Sequence, residues 1–156
     1  MKADRKLDLS LYLVLDANLC KTPEGMVETT RKAVEGGCTV VQLRAPEWKK
    51  KKQLEAAFLL KKLLKDTDVL FIVNDHIDIA FLSGADGVHV GQSDMEADDV
   101  RKILGEDKIL GVSAQTVEQA VLAEKMGADY LGVGAVFSTS TKKDAADVSK
   151  ETLKAI

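Results

Sequence analysis

Polar residues of one chemical character stand directly behind short apolar runs along this chain. Gln42 and Arg44 close the run that begins at Cys38, Asn74 and Asp75 follow Val69 to Val73, and Gly91, Gln92 and Asp94 follow Gly87 to Val90. Ser113 follows Ile109 to Val112, while Thr139, Thr141, Lys142 and Lys143 come after Tyr130 to Val133. Together they offer cations, two carboxylates, hydroxyls and amides. Hard Mg²⁺ takes carboxylate and phosphate oxygens, and Arg and Lys neutralise the charge that remains, so this set suits a magnesium-bridged diphosphate. A plainer reading stands beside it: Asp75 and Asp94 are favoured N-cap residues and could cap the helices that follow them. Ser138 to Lys142 could surround a phosphate or form a solvated turn. His89 alternates with Val88 and Val90 inside an apolar run, so it either lines a site or is a satisfied core histidine. His76 opens the helix after Asp75 and carries less information. The run Lys49 to Lys52 reads as a solvated helix face that starts close enough to Arg44 to lend it one ammonium, with Trp48 as a packing anchor.

Six short, β-branched apolar runs must position these residues: Leu11 to Leu15, Cys38 to Leu43, Val69 to Val73, Gly87 to Val90, Ile109 to Val112 and Tyr130 to Val133. Each reads as a buried strand. Between them, Met26 to Glu35, Lys49 to Lys65, Ala97 to Leu104 and Val117 to Met126 have helical spacing. Strict strand–helix alternation predicts a parallel sheet. An internal echo supports the reading: Gly84-Ala85-Asp86-Gly87-Val88-His89-Val90-Gly91 returns as Gly127-Ala128-Asp129-Tyr130-Leu131-Gly132-Val133-Gly134, and Gly36-Gly37 opens a third version. Each glycine reads as a helix C-cap feeding a strand. Such units close into a (β/α)8 TIM barrel, whose sites gather at the C-terminal ends of the strands, although an open doubly wound sheet shares the local pattern.

The 156 residues, 46% of them hydrophobic, are enough for one globular domain spanning 1–156 with its own core. Lys and Arg nearly balance Asp and Glu, leaving a formal charge of −3, which argues against nucleic acid as a partner. Cys20, in a predicted loop, and Cys38 lack the spacing of a zinc site and read as reduced thiols. No apolar stretch approaches the roughly 18 residues of a membrane span, and the charged start, Met1 to Asp8, is unlike a signal peptide, so a cytoplasmic protein with no membrane partner is expected. A whole barrel usually needs about 250 residues and eight strands. Here a sixth helix begins at Lys150, with Leu153 and Ile156 on one face, so the expectation is a barrel truncated after about six βα units, strands seven and eight being absent. Either another chain supplies the rest or the chain is a fragment.

Five of these segments, in order and with matching intervals, resemble thiamine-phosphate synthases: Val41 to Arg44, Ile72 to Asp75, Gly84 to Met95, Gly111 to Ser113, and Gly132 to Gly134 through Thr139 to Asp144. The resemblance runs from Leu11 to the end of the chain. It implies that hydroxymethylpyrimidine diphosphate binds with Mg²⁺ and loses pyrophosphate, and that the nitrogen of hydroxyethylthiazole phosphate captures the resulting carbocation-like pyrimidine. Carried over residue by residue, Gln42, Arg44 and Asn74 hold the diphosphate and Asp75 and Asp94 the metal. Ser113 and Lys142 contact the pyrimidine diphosphate, Thr139 and Thr141 the thiazole phosphate, and His89 joins the substrate-binding set. Arg44, Ser113 and Lys142 are the residues expected to act on the reaction.

The chain departs from the family pattern at Pro46, where a lysine is usual two residues after the arginine; a lysine from 49–52 is the candidate substitute. The family's last two strands supply phosphate-binding glycine loops, so a chain without them is expected to be marginally stable or to associate with itself through open barrel edges. The related thiazole tautomerase branch, which need not bind a metal diphosphate, and a non-catalytic phosphate-binding fragment are the alternatives. Asn74-Asp75 with Asp94 favours the synthase.

Overall fold

A computed structural model describes residues 6–138 and 147–156. The elements run β1 (Tyr12–Asp16), α1 (Ala17–Cys20), α2 (Pro23–Glu35), β2 (Val40–Arg44), α3 (Lys50–Leu64), β3 (Leu70–Asn74), α4 (Ile77–Ser83), β4 (Gly87–Val90), α5 (Ala97–Leu104), β5 (Ile109–Ala114), α6 (Val117–Lys125), β6 (Tyr130–Val133) and α7 (Lys150–Ala155). All six expected strands form. Arg44, Asn74 and Ala114 lie inside strands, one or two residues beyond the apolar runs, because a strand end can keep its backbone ladder while a polar side chain leaves the core. Two helices, α1 and α4, of four and seven residues, lie outside the segments with helical spacing. One of them, α1, contains Cys20, which the sequence placed in a loop; the Asp16 carboxylate accepts from the N–H groups of Asn18 and Leu19 and starts that turn.

The chain divides into two compact units, one reaching to Val88 and one starting at His89. In the first, parallel strands β1, β2 and β3 are neighbours in chain order, with Gln42 opposite Val14 and Ile72, and Arg44 opposite Asp16. β2 and β3 are buried along their length except at Arg44 and Asn74, as expected of parallel strands covered on both faces. Phe71, Ile72, Val73, Val41 and Leu43 fill this core, together with Ala56, Leu60 and Leu64 from α3. In the second unit β5 and β6 pair in parallel, setting Gly111 beside Tyr130 and Ser113 beside Gly132. Thr22, Thr116 and Ser149 cap α2, α6 and α7 through their hydroxyls.

The echoed Gly-Ala-Asp segment turns out to be more than a cap. Gly84 and Gly127 take positive φ, 68° and 88°, and let each helix end in a reversal, after which Ala85 and Ala128 donate back to Ala80 O and Ala123 O. The aspartate then grips the strand that precedes that helix. Asp86 donates its N–H to Phe71 O and accepts the Phe71 N–H on Oδ2 at 2.8 Å; Asp129 donates to Leu110 O and accepts the Leu110 N–H on Oδ2 at 2.7 Å. Each carboxylate also meets a cation of the helix before that strand, Lys61 at 3.2 Å and Arg101 at 2.7 Å. The third version has the same plan with a hydroxyl: Gly37 has φ 93°, and Thr39 donates its N–H to Leu11 O while its Oγ1 accepts from the Leu11 N–H at 3.1 Å.

Arg101 is the most heavily bonded of these cations. It is buried, and its guanidinium also donates to the carbonyls of Gly105, Lys108 and Gly127. Arg101→Met should therefore lower stability by about 2–3 kcal/mol, the cost of several charge-assisted bonds less the packing that Met restores. Lys61→Met, which removes a single 3.2 Å pair made by a lysine that is 32% exposed, should cost under about 1 kcal/mol. Urea unfolding of the two variants checks the order.

Candidate active site

In the first unit the polar residues gather where β1, β2 and β3 end. Gln42 is buried, and its Nε2 donates to the Tyr12 hydroxyl at 2.7 Å. Tyr12 lies two residues before Val14, the register partner of Gln42, so both side chains belong to the same face of the sheet. Arg44 and Asn74 are the last residues of β2 and β3 and are half-buried. Asp75 follows with φ 61°, a left-handed conformation that L-residues reach at a cost of about 1–2 kcal/mol and that Asp and Asn tolerate best. The chain is thus reversed sharply at the residue expected to hold a metal.

Neither aspartate is the N-cap residue of the helix that follows it. The N-cap of α4 is His76 and that of α5 is Glu96, both without a side-chain capping bond. Asp94 instead folds its own loop: Oδ2 accepts the Gly91 N–H at 2.6 Å, and a Cβ on Gly91 would lie 3.0 Å from that oxygen. The bond takes one of the two carboxylate oxygens.

Still within the second unit, His89 of β4 is buried, 3.0 Å from the Tyr130 hydroxyl at Nδ1 and 2.9 Å from Ser113 Oγ at Nε2. Gln92 Nε2 donates to the Ser113 carbonyl at 2.6 Å, tying the loop after β4 to β5. The sequence-expected His89, Ser113, Gln92 and Asp94 are therefore one bonded region. What the sequence reading missed is the partner of each buried group, Tyr12 for Gln42 and Tyr130 for His89. Their signal was a tyrosine among apolar residues inside a strand, a position where the hydroxyl needs a partner. Gly91, Gln92 and Asp94 also line a pocket of about 30 Å³ together with Val90, Val112, Leu122 and Met126, room enough for a water.

Pro46 has a local structural reason. Trp48 N–H donates to Ala45 O, closing a turn with Pro46 at its second position, where a φ fixed near −65° is favoured. Two of the lysines nominated to replace its missing cation are engaged elsewhere. Lys50 is paired with Asp78, and this hydrogen bond holds the Asp78 carboxyl below its ordinary range. Lys52 lies 4.0 Å over the Trp48 ring and donates to Lys21 O. Thr139, Thr141 and Lys142 lie outside the described residues.

Among the described residues, no three His, Cys, Asp or Glu side chains cluster as a protein-only metal cage. Mg²⁺ does not need one. It is commonly held by one or two carboxylates, with substrate phosphates and water completing the octahedron, and the carboxylates of Asp75 and of Asp94 are each of the donor type it takes.

The family model for thiamine monophosphate synthase matches residues 11–156. The chain belongs to this family. It is 54% identical over 151 residues to a thiamine-phosphate synthase of Ruminiclostridium cellulolyticum, covering 97% of this chain and 71% of that protein. Against the thiamine-phosphate synthase of Laribacter hongkongensis the identity is 49%, covering 92% and 68%. The solved thiamine phosphate pyrophosphorylase of Pyrococcus furiosus superposes with a TM-score of 0.82 at 37% identity, over 95% of this chain and 69% of that one. The chain thus has the α/β fold of the (β/α)8 barrel class through six βα units. No helix among the described residues is long and apolar enough to cross a membrane.

With Lys50 committed to Asp78, Lys50→Ala should return the Asp78 pKa towards its ordinary carboxylate value and leave pyrophosphate affinity within about twofold, since its ammonium is already paired at an exposed position. An NMR titration of Asp78 and a calorimetric pyrophosphate titration read the two effects. A tenfold loss of affinity would instead make Lys50 the substitute cation.

Proposed function

We propose that this protein is a cytoplasmic thiamine-phosphate synthase that joins hydroxymethylpyrimidine diphosphate to hydroxyethylthiazole phosphate, releasing pyrophosphate. The observation that carries the reading is family membership over residues 11–156 together with intact Gln42, Arg44, Asn74, Asp75, Asp94 and Ser113 at the ends of β2, β3, β4 and β5. In this reaction the carbon–oxygen bond to the diphosphate breaks ahead of attack, so negative charge builds on the departing pyrophosphate and positive charge on the pyrimidine methylene. The thiazole nitrogen supplies the electron pair for the new carbon–nitrogen bond, and no side chain need act as nucleophile. Groups aimed at the pyrophosphate stabilise that transition state more than the ground state.

Arg44 and Lys142 would neutralise the leaving group, while Gln42 and Asn74 hold it by hydrogen bonds. Gln42 is suited to a fixed geometry because Tyr12 already orients its amide. Ser113, half-buried beside His89, would contact the pyrimidine diphosphate, with His89 completing that end of the site. Thr139 and Thr141 are assigned to the thiazole phosphate. Asp75 and Asp94 would hold Mg²⁺, which supplies positive charge to the diphosphate oxygens when bound. Self-association through strand edges belongs to the same reading: β1 is incompletely buried, with Val14 45% exposed, and β6 is half-buried over most of its length. The urea midpoint should then rise with protein concentration; a concentration-independent transition from a monomer would remove that part.

The test is thiamine phosphate formation by the purified chain from both substrates with Mg²⁺, with metal omitted as control. Metal-dependent product is expected. Asp75→Asn keeps a residue that tolerates positive φ, and Asp75→Gly relieves the backbone entirely, so both should fold; each should lower turnover about a hundredfold or more by removing the carboxylate. Asp94→Ala should abolish the metal dependence together with activity. Normal turnover in these variants would overturn the metal assignment. Pyrophosphate binding without turnover in the folded wild type would favour a phosphate-binding protein over an enzyme.

A further inference from the structure

The buried group least explained by diphosphate chemistry is the Tyr130 hydroxyl, and the strands around it are built to accommodate it. Tyr130 and His89 rings lie 5.5 Å apart, tilted by 36°. Gly111, the register partner of Tyr130, has no side chain at the place where a Cβ would fall inside the Tyr130 ring and against His89 Nδ1. A Cβ on Gly132 would lie 2.9 Å from His89 Cε1. Two strand glycines, each costing sheet stability, therefore clear the space in which one imidazole is held at both nitrogens.

A neutral imidazole has one donor and one acceptor, so the two hydroxyls must play opposite parts. The phenol is the stronger acid of the two and the better donor. We propose that Tyr130 is a positioning residue: its hydroxyl donates to His89 Nδ1 and fixes the Nε2–H tautomer, Nε2–H donates to Ser113 Oγ, and the Ser113 hydroxyl hydrogen is thereby turned towards an oxygen of the bound diphosphate. The last link rests on the synthase reading. The chain of donors runs in one direction, each bond polarising the next. Gln92, bonded to the Ser113 carbonyl, fixes the serine backbone from the loop side.

The experiment is ¹⁵N NMR of imidazole-labelled protein, which reports the tautomer directly. The chain has two histidines, and His76→Gln identifies the second resonance set. The expected result is the Nε2–H tautomer for His89, kept in Ser113→Ala and lost to a mixture in Tyr130→Phe, a variant that preserves the ring. In the synthase assay Tyr130→Phe should lower kcat about tenfold, the worth of one hydrogen bond, with a smaller change in KM. An Nδ1–H tautomer in the wild type, or a tautomer unmoved by Tyr130→Phe, would overturn the proposal. An inactive wild type whose His89 behaves as expected would overturn the synthase reading and leave the tautomer assignment standing.

Discussion

The aspartate grip at the start of the strands is the interaction on which the rest depends. A parallel strand entering a core leaves its first N–H groups in need of acceptors, and a buried unpaired donor costs about 1–3 kcal/mol. Asp86 and Asp129 supply the acceptor from the segment after the next helix, and Thr39 does the same with a hydroxyl. The bond fixes each strand against the next at one end. Because a parallel strand advances about 3.3 Å per residue, fixing one end also fixes where the other end falls. Arg44, Asn74 and Ser113 reach the opposite ends for that reason.

The second constraint is the burial of polar groups inside the strands. Gln42 and His89 lie inside strands that are otherwise apolar, and each is satisfied by a tyrosine from an adjoining strand or the one beyond. A hydroxyl partner restricts the rotation of an amide or imidazole without adding a charge beside it. Preorganisation of this kind suits a reaction whose barrier is charge separation, where donors that need not reorient are worth most. The glycines at 111 and 132 are part of this arrangement, since any larger residue would compete with the tyrosine and histidine rings for the same volume.

The loop after β2 shows how a departure from a family pattern can be absorbed locally. Pro46 sits in a hydrogen-bonded turn, and of the lysines beyond it Lys52 covers Trp48 and Lys50 pairs with Asp78. A run of like charges on a helix relieves its own repulsion by finding separate partners, and that outcome is local packing which spacing alone does not encode.

The sequence by itself determined the six strands, the longer helices, the barrel class and the set of polar residues at the strand ends, because period, β-branching and motif order are properties of the chain. It also marked the Gly-Ala-Asp echo, though only as a helix cap. Tertiary structure alone decided that the echo's aspartates and Thr39 clamp the preceding strands, that Asp94 closes its own loop and caps no helix, and that Tyr12 and Tyr130 hold Gln42 and His89. Such pairings join residues up to 41 positions apart. A hydrogen bond is made or missed within a few tenths of an ångström, and that precision comes from packing, which a pattern of residue types cannot express.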